Sequence, residues 1–198
     1  MINYKALLLS TCLVSMNSLA DVREDLSAQL AAQDCLAANF EQRLLDVDGQ
    51  ELQHSSGSVR AAKPNSLRWA INAPDVQLIV SDGETLWRYE EDLEQLIVSP
   101  FDDEGAGLPS RLLSGDTQAL DAYTVEKIGD AYTLIPTQAS DLFQQLSLRF
   151  NVEGLAQVSM TDSFEQITEI QLTATDADCN DPSLYQFEAP AGIDVIYE

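Results

Sequence analysis

Apolar positions recur first every fourth residue and then every second one. Val22, Leu26 and Leu30 stand at i, i+4 and i+8, which lays them along one side of a helix. The alanine-rich filler around them favours helix, so the spacing predicts a helix over residues 22–38. Asp21 suits its N-cap. Glu24 follows three residues later, where a capping box places its acid.

From Asn39 the period shortens to that of a strand. Residues 39–47 run into an Asp48-Gly49 turn, and 51–60 return, the pattern of a hairpin. Pro64-Asn65 makes the next turn. Leu67, Trp69 and Ile71 then alternate with Ser66, Arg68 and Asn72, and 77–80 follows up to Asp82-Gly83. In 85–89, Trp87 and Tyr89 fall on one face, and Leu96 and Val98 repeat the alternation. The result reads as an antiparallel meander.

Residues 101–115 break the pattern. They are acidic, then glycine-rich, and Leu108 to Leu113 have helical spacing, so a short helix on a loop is expected. Strands resume over 122–128, 131–137, 145–152, 155–161 and 165–175, and short ones close the chain at 184–188 and 193–196. About eleven or twelve strands of this kind form one sheet, and a sheet that large curls or closes. The expected fold is therefore mainly β with helices: a single incomplete antiparallel barrel whose helices bury their apolar faces inside the curl. No internal repeat or linker divides it, so residues 21–198 are read as one domain.

Charge narrows the function. There are 33 acidic and 10 basic residues, a net charge of -23. Nucleic acid needs clustered Lys and Arg, so it is excluded as a partner, and anionic lipid surfaces should repel the chain. Residues 1–20 read as an export signal. Lys5 is the basic start, 6–19 are nearly free of charge, and Ser18-Leu19-Ala20 fits a cleavage site. The product is expected to be a soluble, exported, periplasmic protein beginning at Asp21. A rival reading makes Cys12 a lipid-attachment site, although Thr11 rather than a small residue precedes it.

Export leaves Cys35 and Cys179 in the mature chain. An oxidising compartment permits a disulfide between them, and two buried free thiols are the alternative. Catalytic chemistry is hard to find. The single histidine, His54, sits among polar residues on a predicted strand, and no nucleophile-elbow or phosphate-loop motif occurs. Asp176, Asp178, Asn180 and Asp181 imitate a calcium loop, but the position that needs Gly is Asp181 and the one that needs Glu is Phe187. No enzyme, metal site or cofactor is expected. A monomer is expected, because barrel closure leaves few bare edges.

One block is more specific. Lys63-Pro64-Asn65-Ser66-Leu67-Arg68-Trp69 is followed by Ala73-Pro74-Asp75, then by Leu78 through Tyr89 with Val80-Ser81-Asp82-Gly83 and Leu86-Trp87-Arg88-Tyr89. Leu112-Leu113-Ser114-Gly115-Asp116 and Pro190-Ala191-Gly192-Ile193-Asp194-Val195 continue it. In order and spacing this resembles the LolA family of outer-membrane lipoprotein carriers over 21–198.

The resemblance implies a barrel closed by a helical lid. It implies acylated lipoprotein as cargo, a LolCDE-type inner-membrane ABC transporter as donor and a LolB-type outer-membrane protein as acceptor. On that reading Trp69, Val80, Trp87, Tyr89 and Val98 line the acyl-chain cavity from the sheet. Leu26, Leu30, Leu108, Leu112 and Leu113 line it from the lid. Lys63 stands where relatives carry an Arg that latches the lid, and it keeps the charge without the planar fork. Leu67 stands where relatives often have Phe, near the open rim, as a transporter contact. A carrier for another lipid on the same fold, a lipid-recognising module that does not transport, and the outer-membrane acceptor itself are the rival readings.

Overall fold

The computed structural model describes residues 19–101, 111–113, 117–138 and 143–198. Residues 1–18, with Cys12, and Leu108 of the expected lid lie outside them. The helix α1 spans Leu19–Ala31. Twelve strands follow. β1 (Cys35–Leu45), β2 (Glu51–Ala62), β3 (Ser66–Ala73), β4 (Gln77–Asp82), β5 (Thr85–Glu90) and β6 (Gln95–Pro100) come first. After a 3₁₀ turn at Thr117–Ala122 come β7 (Tyr123–Ile128), β8 (Ala131–Pro136), β9 (Gln145–Asn151), β10 (Gly154–Thr161) and β11 (Ile167–Ala174). A second 3₁₀ turn, Pro182–Tyr185, precedes β12 (Asp194–Tyr197).

All twelve strands form one open curled sheet in the order β12-β6-β5-β4-β3-β2-β1-β11-β10-β9-β8-β7. Neighbours are antiparallel except β12, which runs parallel to β6 from Asp194 opposite Gln95. The expected strand at 184–188 is replaced by the 3₁₀ turn, which Asp181 caps by accepting from the Ser183 N–H at 2.9 Å. Since β7 and β12 remain as edges, closure supplies no argument for a monomer. Among the described residues no helix is long and apolar enough to cross a membrane.

The helix stops seven residues earlier than its composition suggests, at Ala31 instead of 38, and Cys35 opens β1 rather than lying on a helix. Tertiary contacts override propensity here. Cys35 is bonded to Cys179, with Cα atoms 5.9 Å apart. Ala37 packs with Cys179 and Tyr185, while Ala38 faces the main core. Small alternating side chains let both layers approach the strand.

Residues directly opposite in neighbouring strands share a face. The inner row through Ala38, Val59, Trp69 and Ile79 is therefore continuous. A second row runs through Phe40, Leu172 and Gly57. Val158, Leu148 and Tyr132 carry the same face across β10, β9 and β8. Leu26 and Leu30 of α1 and Leu112 are buried against these side chains in one core. On the outer face of β8 to β11 stand Thr133, Ser147, Ser159 and Glu169, so that half of the sheet alternates apolar-in and polar-out.

Candidate functional site

The concave face closes incompletely. A cavity of about 140 Å³ remains, bounded by Leu67, Trp69, Ile79, Val158, Ile170 and Leu172 from the sheet and Leu113 from the 111–113 turn. Its sheet residues come from β3, β4, β10 and β11, which the curl brings across from one another. Phe40 backs the Trp69 wall: its ring stacks on Trp69 with centroids 4.2 Å apart. That stack lies over Gly57, where a methyl group would strike the Ala70 carbonyl and the Phe40 ring. Glycine is required at 57 because backbone and ring approach so closely.

The register divides the expected sheet lining. Trp69 faces inward, opposite Ile79. Val80 pairs with Trp87, Trp87 with Val98, and Tyr89 lies two residues on, so all four share the outer face. They do not line the cavity. The C-terminal segment covers this part of the sheet instead. Tyr89 meets Phe187 with ring centroids 5.5 Å apart, and Arg68 on the same face donates to the Leu184 carbonyl at 3.3 Å. Burial, and then the neighbouring Arg60, lower the Arg68 pKa. Alternation alone cannot tell the two faces apart when both are covered, as they are here. The inward residues missed by the sequence reading, Ile79, Val158, Ile170 and Leu172, were visible only as ordinary alternating strand positions.

Leu67 is 1 % exposed and lines the cavity. It is too deep to touch a transporter at the rim. Leu26, Leu30 and Leu112 are buried and Leu113 borders the cavity, which brings four of the five expected lid leucines to the concave face. Lys63, at the β2–β3 turn, donates to the Ala31 carbonyl at the end of α1 at 2.7 Å and lies 3.5 Å from Asp34. It thus joins the sheet to the helix.

The other end of α1 is held by a polar cluster. Tyr132 and Lys127 both donate to Asp25, and Arg23 donates to Asp121 at 3.0 Å. The hydrogen bond from Tyr132, then that from Lys127, hold the Asp25 carboxyl below its ordinary pKa. A carboxylate with a depressed pKa stabilises the fold above its unfolded value and loses that contribution as pH falls through the folded one. Asp25→Asn should therefore melt below the parent at neutral pH. The two melting curves should converge in the acid range below about pH 4, as a thermal scan against pH would show. A constant gap down to the lowest pH would exclude this role.

His54 bonds Glu41 at 2.7 Å with both side chains exposed on the outer face. Two aspartates of the calcium-like stretch serve its backbone, Asp178 accepting from the Asn180 N–H and Asp181 from the Ser183 N–H, each at 2.9 Å.

An open curled sheet with helices set into its apolar concavity defines the architectural class. The match to known proteins narrows it. The family model described as outer membrane lipoprotein carrier protein LolA matches residues 32–188. The outer-membrane lipoprotein carrier protein of Chromohalobacter salexigens is 38% identical over 181 residues, covering 88% of this chain and 86% of its own. That of Nitrosomonas europaea is 32% identical over 197 residues, covering 96% of each chain. Among solved structures, a LolA superfamily protein of Nitrosomonas europaea shares the fold at a TM-score of 0.50 and 15% identity, covering 84% of this chain and 98% of its own. The chain belongs to the outer-membrane lipoprotein carrier family.

Proposed function

We propose that this protein is a periplasmic carrier that takes acylated lipoproteins from an inner-membrane ABC transporter, shields their acyl chains in the concavity and delivers them to an outer-membrane acceptor. The observation that carries the reading is the continuous apolar inner face from Tyr132 to Ile79, ending in a cavity bordered by seven hydrophobic residues. Family membership supports the same reading. A sixteen-carbon chain is worth roughly 12 kcal/mol at about 0.8 kcal/mol per buried CH₂, so cargo cannot cross water unshielded.

The size of the cavity supports a particular mode of loading. A dry cavity of about 150 Å³ accommodates one benzene, and this one is about 140 Å³. An acyl chain needs several times more room. Leu113, and with it Leu26, Leu30 and Leu112, must part from the sheet on loading: they fill the concavity when it is empty and make way for cargo. Lys63 is the bond that opposes the parting. Lys63→Leu should slow cargo transfer about tenfold while costing about 1 kcal/mol of stability or less, as a partly exposed pair would. Equal transfer by parent and variant removes the latch.

The reading is tested by release. Spheroplasts bearing newly made lipoproteins are incubated with the purified mature protein and ATP. Soluble lipoprotein bound to the carrier is expected only when the protein is added. No release by folded protein matched to its own transporter would leave the fold with another acylated or lipid cargo.

A further inference from the structure

In an antiparallel sheet the hairpin turns fall alternately at the two ends of the strands. Here the β1–β2, β3–β4, β5–β6 and β10–β11 turns gather along one rim. The first and last stand side by side, because β1 pairs with β11 as far as Leu45 opposite Ile167. Each of the four turns carries an exposed apolar side chain at its tip: Val47 at 62%, Val76 at 37%, Leu93 at 64% and Phe164 at 78%. Leu52, at the start of β2, adds a fifth at 49%.

Acids flank every tip. Asp46 and Asp48 enclose Val47, Asp75 precedes Val76, Asp92 and Glu94 enclose Leu93, and Asp162 and Glu165 bracket Phe164. None of these turns contains Lys or Arg. The opposite rim has acids as well, Glu84, Asp130 and Glu153, but its turns include Lys63, and its exposed apolar residues are Val152, Ile128 and, near the end of β12, Tyr197.

Two of the acids have an internal duty. Asp46 accepts from the Asp48 and Gln50 N–H groups at 3.0 and 2.8 Å, and Asp162 accepts from those of Phe164 and Gln166 at 2.8 and 2.9 Å. Among the described residues, none is bonded to the side chains of the other acids. An open groove of about 560 Å³ lies beside Leu93, between Glu91, Asp92 and Glu94 and the segment from Pro190 to Ile193. Exposed apolar side chains gathered on one edge mark an interaction surface.

We propose that this rim docks a protein partner whose apolar pockets are bordered by Lys and Arg. Charge selects the occupant. An anionic lipid surface would meet carboxylates at every turn and be repelled, and a second copy of this chain would bring the same charge. A cationic protein surface pairs with the acids, is steered toward them and covers the tips. The assignment stands apart from the cavity and its cargo, since no rim residue lines it.

The test places a photo-reactive benzoylphenylalanine at 47, 93 or 164 of the full chain in its own cells, with Val152 as the opposite-rim control. One protein adduct common to the three rim positions and missing from 152 is expected. Its yield should fall about tenfold on charge reversal by Asp48→Lys, Asp92→Lys and Glu165→Lys, with an unchanged thermal midpoint. An uncharged variant, Val47→Ser with Phe164→Ser, read from the probe at 93, should show the same loss. No adduct, an equal adduct at 152, or one that survives both variants overturns the proposal. Flotation of the purified mature chain with phosphatidylglycerol vesicles, lost in the Val47→Ser, Phe164→Ser variant, would assign the rim to lipid and overturn it as well.

Discussion

Cys35→Ser with Cys179→Ser should lower stability by about 5 kcal/mol, the cost expected for opening a cross-link of this span. The bridge joins residues 144 positions apart, so it removes much of the freedom of the unfolded chain. A loss of that size moves the thermal midpoint down by about 10–20 °C for a chain of this length. The effect should also be local. The bridge fastens the C-terminal segment to the outer face, where Cys179 is buried beside Ala37 and Tyr185. The Tyr185 hydroxyl donates to the Cys179 carbonyl at 2.7 Å, and burial first of all raises the Tyr185 pKa. Without the bridge the segment should peel before the sheet melts and uncover Tyr89, which now packs on Phe187. Limited proteolysis should then cut near residues 176–181 in the variant and spare the parent. Equal midpoints and equal cleavage would mean that the segment is held by β12 and the Tyr185 contacts alone.

Phe40→Ala should cost about 3–5 kcal/mol, the range for removing a buried aromatic side chain. The ring is 2% exposed, stacks on Trp69 and covers the Gly57 backbone. Its loss leaves a gap behind Trp69 and removes that residue's stacking partner, a contact worth about 0.5–1.5 kcal/mol beyond burial. Urea denaturation should show a lower midpoint with an unchanged slope. A changed slope would mean that the concave face collapses around the gap. A midpoint within about 1 kcal/mol of the parent would show that the wall repacks freely.

Much of the fold was legible because each strand carries its own signal. Asp48-Gly49, Asp82-Gly83 and Gly129-Asp130 mark three of the hairpins, and each lies at a turn of the sheet. Where tertiary contacts decide, the pattern misleads. Ala37 and Ala38 look like helix filler, yet they sit in β1 between two packed layers. The run at 184–188 looks like a strand, but its apolar side chains belong to a turn laid on the outer face.

The same limit governs the candidate site. The leucines of α1 announce themselves by helical spacing. The sheet lining does not, because β3 to β6 bury apolar residues on both faces. Trp69 and Trp87 are equally apolar and equally periodic, and only the pairing of Trp69 with Ile79 and of Trp87 with Val80 puts them on opposite sides. Leu67 was read as a transporter contact because it stands where relatives often have Phe near the open rim; the structure instead buries it on the cavity wall.

That division supplies the most direct test of the central claim. The chain has two tryptophans, so Trp87→Phe leaves Trp69, on the cavity wall, as the only one. The purified mature variant is titrated with a triacylated lipopeptide while its tryptophan emission is followed. The carrier account predicts a saturable change with the acylated peptide and none with the same peptide lacking its acyl chains. Emission that stays constant, or that responds equally to the unacylated peptide, would contradict the claim that the concave face holds the acyl chains.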